Sequence, residues 1–285
     1  MFFCSRKKGL PIESVEYVIE GVDVEMKALE GKLALVTGVS RTGGIGAAIC
    51  REFARNGADI LFTYWTNYDD TMPWGVGQDE PSTIKQEMES FGVKCEMVEL
   101  DLTETKSIDV LYDFSKDRFG SSPDILVNNA CFSVNDNIDT ITAEKLDQHY
   151  VINVRAVTLL TQKFVQSFSK NEGRIINITT GWSRGQMPEE LSYVLTKSSV
   201  ETLTYTLSSS LAAKGITINA INPGPTNSGW MNDEVKKELL PRFPTGRLGE
   251  PSDAAKLALF LASEQSAWIT GQVLHSEGGF KNGDD

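Results

Sequence analysis

Tyr193 and Lys197 stand four positions apart in the run Tyr193-Val194-Leu195-Thr196-Lys197. On a helix that spacing puts both side chains on one face, so a phenol and an ammonium can enter one cavity. A free tyrosine ionises near pH ~10, and a neighbouring cation favours its phenolate. Such a pair can give or take a proton at neutral pH. YxxxK also arises by chance in many helices, so the pair alone does not define a site. A second feature lies upstream, in Thr37-Gly38-Val39-Ser40-Arg41-Thr42-Gly43-Gly44-Ile45-Gly46. It sits between a strand-like run, Leu33–Val36, and a helix-like run, Ile45–Arg55. Glycines let a backbone turn sharply and approach a pyrophosphate, and a helix N-terminus adds N–H donors with partial positive charge.

Further motifs follow in order: Asp101-Leu102, Asn128-Asn129-Ala130, Asn153, the 178–183 segment, Pro223-Gly224-Pro225-Thr226, Ile269-Thr270-Gly271-Gln272 and Gly278-Gly279. Together with the turn and the Tyr/Lys pair, they resemble the short-chain dehydrogenase/reductase family, in its 3-oxoacyl-(acyl carrier protein) reductase-like branch. The resemblance spans about Leu29 to Lys281. It implies a hydride transfer between a nicotinamide and a carbonyl or secondary alcohol. Tyr193 would protonate the carbonyl oxygen, Lys197 would lower the Tyr193 pKa and bind the nicotinamide ribose, and Asn153 would hold a relay water. The family places a serine thirteen residues before the tyrosine, and here that position is Thr180. Threonine keeps the hydroxyl but stiffens χ1. Ser183 is the reserve candidate, although a loop serine facing solvent is its simpler reading. By the same resemblance Gly38, Ser40, Arg41, Gly44, Ile45, Gly46, Asp101, Leu102, Asn129, Ala130, Tyr193, Lys197, Pro223, Gly224, Thr226 and Ser228 would line the cofactor. The family commonly forms homotetramers through its long helices.

Two departures stand out. The family turn has three residues between TG and GxG, whereas Val39–Gly43 intervene here, so the turn is two residues longer. Cys131 replaces the last glycine of NNAG and reads as a small packed residue, because no histidine is near it in sequence. His149 and His275 have ordinary structural readings, and the implied mechanism uses neither.

NAD-binding Rossmann proteins commonly end the second strand with an acid that binds the ribose hydroxyls. Here that end reads Phe62-Thr63-Tyr64-Trp65-Thr66, without one. Ser40-Arg41 resembles the Ser-Arg of NADP-using members, and arginine suits a phosphate. NADP is therefore the expected cofactor. NAD is the alternative, through Asp69 or Asp70 folding back from the following loop. Trp230, Met231, Leu239, Leu240, Phe243, Trp182 and Met187 suggest an apolar substrate pocket or, equally, buried helix or subunit contacts. The function expected is an NADP-dependent carbonyl reductase. The alternatives are an NAD-dependent alcohol dehydrogenase of the same family and a non-catalytic redox sensor.

The elements that must position these residues alternate. Strand-like runs at Leu33–Val36, Asp59–Tyr64, Val93–Leu100, Ile125–Asn128, Arg174–Ile178 and Ile216–Ile221 are separated by helical stretches, the longest Ala143–Ser169 and Leu191–Ala213. That order predicts an α/β fold, a doubly wound parallel sheet with helices on both faces. Residues 66–82, with Pro73, Pro81 and several glycines, read as a loop. A single Rossmann domain over 29–285 is expected, with residues 1–28 as an extension of unreadable role. The chain has 285 residues, 40% hydrophobic, which suits a globular domain. Its net charge of −12 opposes nucleic acid and anionic membrane. Four cysteines without CxxC or metal-ligand spacing read as free thiols in a reducing cytoplasm. No apolar run approaches the ~18 residues of a membrane span.

Overall fold

The computed structural model describes residues 27–72, 75, 77 and 79–281. Cys4 and nearly all of the 1–28 extension, including its short apolar stretch Val15–Ile19, lie outside the described residues. Seven strands form one parallel sheet: β1 Leu33–Val36, β2 Asp59–Tyr64, β3 Cys95–Glu99, β4 Ile125–Asn128, β5 Gly173–Ile178, β6 Ile216–Asn222 and β7 Val273–His275. Their spatial order is β3-β2-β1-β4-β5-β6-β7. The order reverses between β1 and β4, and in such sheets ligands bind at that switch point, beyond the carboxyl ends of the strands.

Both faces of the sheet are covered, which explains why the central strands are apolar runs rather than alternating ones. On β1, Ala34 and Val36 pack into one core with Ile49 and Phe53, while Leu33 and Leu35 pack into the other with Leu111 and Phe164. The first core is closed by α1 Ile45–Arg55 and α9 Pro251–Ala262, which pack on each other. The second is closed by α4 Lys106–Phe119, α6 Val157–Ser167 and α7 Leu191–Ala212. Strands β1, β4, β5 and β6 are buried throughout, whereas the edge strands β3 and β7 are only partly covered.

Two elements differ from the sequence expectation. The long helix from Ala143 divides into α5 Ala143–Tyr150, a π-helical turn Val151–Ala156 and α6. Asn153 sits in the π turn, where the extra residue per turn re-aims its side chain. The expected 66–82 loop instead contains α2 Thr66–Asp70 and the start of α3 Glu80–Ser90. Pro81 occupies the first turn of α3, where its missing N–H costs nothing. Strand β7, three residues long, has too little pattern to be read in advance. The remaining helix, α8 Asp233–Leu239, follows β6 and starts from an Asn232 cap that accepts the Val235 N–H.

Candidate active site

The catalytic side is built by α7, the π turn and the segment after β4. Tyr193 and Lys197 lie in the first two turns of α7, with Lys197 Nζ 5.6 Å from the Tyr193 ring centre. Lys197 is buried, and its ammonium donates to the Ile178 carbonyl at the end of β5, 2.8 Å away. Asn153 is fully buried and reaches α7 by donating to Thr196 Oγ1 at 3.1 Å. The same side chain clasps Phe132, accepting its N–H at 2.8 Å and donating to its carbonyl at 2.9 Å. The first turn of α7 is anchored by Asp136, which accepts the Ser192 N–H at 2.8 Å and the Ser192 hydroxyl. Burial pushes the Asp136 carboxyl up, but the two Ser192 bonds outweigh it and hold the group below the ordinary value. Burial dominates at the pair itself. It pushes the Tyr193 phenol up, with Cys131 and Glu190 acting in the same direction, and the Lys197 ammonium down. Burial thus works against the lowering of the Tyr193 pKa that the resemblance implies for Lys197, because enclosure penalises charge on either group. Tyr193 therefore holds its proton firmly at neutral pH.

The turn side is built by the loops after β1, β2, β4 and β6. Gly38 has a φ of 72°, and a Cβ there would stand 2.6 Å from Ala130 Cα. Asn129 Nδ2 bridges the Thr37 and Gly38 carbonyls, both at 2.9 Å, so the turns after β1 and β4 are locked together. Helix α1 starts from Gly44 with no side-chain cap and no acid in its first turn. Such a start suits an anion. A Cβ on Gly46 would stand 2.7 Å from Asn129 Nδ2, so that part of the cradle also requires glycine. Arg41 donates to the Ser228 carbonyl at 2.8 Å and lies 3.7 Å from the buried Asp69 carboxylate of α2. Thr42 gives its N–H and hydroxyl to Glu80, at 2.7 and 2.8 Å. Tyr68 of α2 packs on Phe132 with ring centres 5.7 Å apart.

A family model described as enoyl-(acyl carrier protein) reductase matches residues 38–281, most of the chain. The chain belongs to the short-chain dehydrogenase/reductase family. The oxidoreductase YjdA of Bacillus subtilis is 44% identical over 261 residues, covering 90% of this chain and all of that one. The 3-oxoacyl-[acyl-carrier-protein] reductase FabG of Staphylococcus epidermidis is 31% identical over 252 residues, covering 87% of this chain and 98% of FabG. Among solved structures, the landomycin C-6 ketoreductase LanV, with bound NADP and rabelomycin, is 31% identical with a TM-score of 0.77. It covers 88% of this chain and 97% of that one. This short-chain dehydrogenase/reductase is therefore an oxidoreductase with a Rossmann-like sheet of the family type.

Within this reductase fold the residues expected from the sequence separate into three groups. Asn153 meets the Tyr193 and Lys197 helix through Thr196, whose hydroxyl also donates to the Tyr193 carbonyl. Gly38, Ser40, Arg41, Gly44, Ile45 and Gly46 form the turn, and Asn129 and Ala130 close on it. Pro223, Gly224, Thr226 and Ser228 follow β6, where Thr226 Oγ1 donates to the Pro223 carbonyl and Ser228 meets Arg41. Asp101 and Leu102 follow β3 at the same sheet edge, but Asp101 accepts its own loop's Thr103 N–H and Leu102 is buried in the core. Thr180 is half-buried, its hydroxyl 3.9 Å from Met187 Sδ, whereas Ser183 is exposed in the turn Trp182–Arg184. The solvent-facing reading of Ser183 is the one observed. Phe243 is buried against Phe280 and belongs to the core rather than a pocket, while Trp182 and Trp230 remain exposed. Arg41, expected from the sequence to suit the NADP phosphate, has its guanidinium against Asp69 and the Ser228 carbonyl. Tyr68, Glu80, Phe132 and Asp136 are the site neighbours that sequence reasoning missed, and His149, read there as ordinary structure, also borders the site. Of the two acids named as able to fold back, Asp69 lies buried against Arg41 while Asp70 stays exposed.

Proposed function

We propose that the protein is an NADP-dependent reductase of ketone-like carbonyls, related in chemistry to 3-oxoacyl reductases. The observation that carries this reading is the gathering of Tyr193, Lys197 and Asn153 at the start of α7, with Lys197 Nζ 5.6 Å from the Tyr193 ring centre and Asn153 bonded to Thr196 beside Lys197. A bound nicotinamide supplies the hydride to the carbonyl carbon. Tyr193 gives its proton to the carbonyl oxygen as the hydride arrives, and at neutral pH the phenol carries the proton this needs. Thr180 offers a hydroxyl to steady the developing oxyanion. Lys197 would bind the nicotinamide ribose, and Asn153 would hold a relay water through which solvent returns a proton toward Lys197 and Tyr193. Gly38, Gly44, Ile45 and Gly46 would hold the pyrophosphate on α1, and Arg41 would meet the 2′-phosphate by exchanging it for Asp69. A non-catalytic sensor would have no use for this proton path. The exposed Leu195 and Tyr205 on α7 support a homo-oligomer, tetrameric as in the family, closed by that helix.

One observation favours a second reading. Asp69 and Glu80 both approach the glycine turn, and an acid there can hold the ribose hydroxyls of NAD. The deciding experiment follows nicotinamide absorbance with NADPH and NADH against keto-acyl thioesters, simple ketones and sugars. Consumption of NADPH with a ketone, abolished in Tyr193→Phe, is the expected result. No consumption with either cofactor across the panel would overturn the reductase reading.

A further inference from the structure

His149 is wholly buried at the end of α5, and its ring has two different partners. Nδ1 lies 2.7 Å from the Lys145 carbonyl, and Nε2 lies 3.3 Å from the Val134 N–H. A carbonyl only accepts and an amide N–H only donates. The proton therefore sits on Nδ1, and Nε2 offers its lone pair to Val134. Phe132 lies edge-on to the ring, with centres 4.9 Å apart.

His149 and Asn153 are four residues apart on consecutive helical turns, a rise of roughly 6 Å. Their partners Phe132 and Val134 are two residues apart in the segment after β4, which belongs to no helix or strand. The helix thus grips alternate backbone positions of the wall, while Asp136 secures the same segment to α7. We propose that His149 is a positioning residue of this site, holding the Phe132–Val134 wall in register with Asn153, and that the wall is released when the imidazole takes a second proton. This rests on the reductase reading of the site.

A second proton must go on Nε2, where it would face the Val134 N–H, two donors with no acceptor between them. The charged groups acting on the ring are Asp136, from the wall, which favours the cation, and Lys145, from α5, which opposes it. Burial is the largest influence and lowers the His149 pKa, opposed by the bond to the Lys145 carbonyl. In the unfolded chain histidine titrates near ~6.5. Below that pH the unfolded state binds the extra proton first. The stabilisation from neutral His149 is thus complete above about pH 6.5 and is lost as pH falls through the lower, folded value.

The test compares wild type with His149→Gln, whose amide oxygen can accept from Val134 without titrating, and with His149→Phe, which cannot accept. Hydrogen exchange of the 131–137 peptide, corrected for intrinsic rates and measured without cofactor, should lose about tenfold protection in wild type between roughly pH 7.5 and pH 5. His149→Gln should show no such change, and its kcat profile should lack the wild-type acid limb. His149→Phe should be poorly protected at both pH values and lose about tenfold or more in kcat, as one buried unsatisfied N–H implies, with KM for cofactor little altered. Wild-type protection that does not vary with pH, or an acid limb retained by His149→Gln, overturns the proposal. If Tyr193→Phe stays active the reductase reading fails, while the exchange measurement still judges His149 by itself.

Discussion

The two halves of the site are built differently. On the catalytic side, regular elements carry the side chains: Asn153 makes three hydrogen bonds, and Lys197 ends on a strand carbonyl. On the turn side, Arg41, Asp69 and Glu80 meet from a lengthened turn, a five-residue helix and the start of another helix. The Arg41 side chain keeps 22% of its exposure, against a Lys197 that is almost wholly enclosed. A group held by packed helices has one geometry available to it. A group held by an ion pair between loops can exchange one anion for another, because a phosphate offers the guanidinium the same kind of charge-assisted bond. The rigid half is suited to moving a proton, and the exchangeable half to choosing a cofactor.

That contrast predicts unequal effects of substitution. The largest belongs to Tyr193→Phe, which removes the proton and leaves the fold's packing intact. Turnover should fall by ~10²–10⁴-fold, with cofactor affinity nearly unchanged by direct titration. Near-normal turnover would mean that the rigid half does not carry the chemistry. Next comes Thr180→Ala, where loss of an oxyanion donor should cost on the order of 10²-fold in kcat. Thr180→Ser should retain most activity, and Ser183→Ala should be silent because that residue faces solvent. A large loss at Ser183 with none at Thr180 would transfer the role.

The contrast also explains what the sequence makes legible. The strands Leu33–Val36, Asp59–Tyr64 and Ile125–Asn128 are readable to the residue, because strands buried on both faces are short apolar runs bounded by turn residues. Tyr193 and Lys197 are legible because helical spacing alone puts them on one face. The π turn at Asn153 is not, since the β-branched residues of Val151–Ala156 weaken a helix without marking where it widens. Asp136 and His149 are hidden for a different reason. Their roles depend on which backbone groups they meet, and Ser192 and Val134 are 56 and 15 residues away. Helix α2 is obscured by the prolines and glycines that follow it.

The smallest effects are expected where partners exchange, at Asp69 and Arg41. If NADP is the cofactor, its 2′-phosphate brings close to two negative charges toward a guanidinium already facing the Asp69 carboxylate. Asp69→Asn removes the competing anion while keeping the side chain's shape. NADPH should then bind about tenfold more tightly, or ~1.4 kcal/mol, with NADH changing less. Arg41→Ala should weaken NADPH by about tenfold through loss of a charge-assisted bond. It should also weaken NADH slightly, because the Ser228 carbonyl loses its donor and the two loops separate. Paired titrations of both cofactors against both variants decide the matter. Weaker NADH binding in Asp69→Asn, with no gain for NADPH, would mean that Asp69 holds the ribose hydroxyls. The turn side would then be held to a single geometry, like the catalytic side, and the preference would belong to NAD.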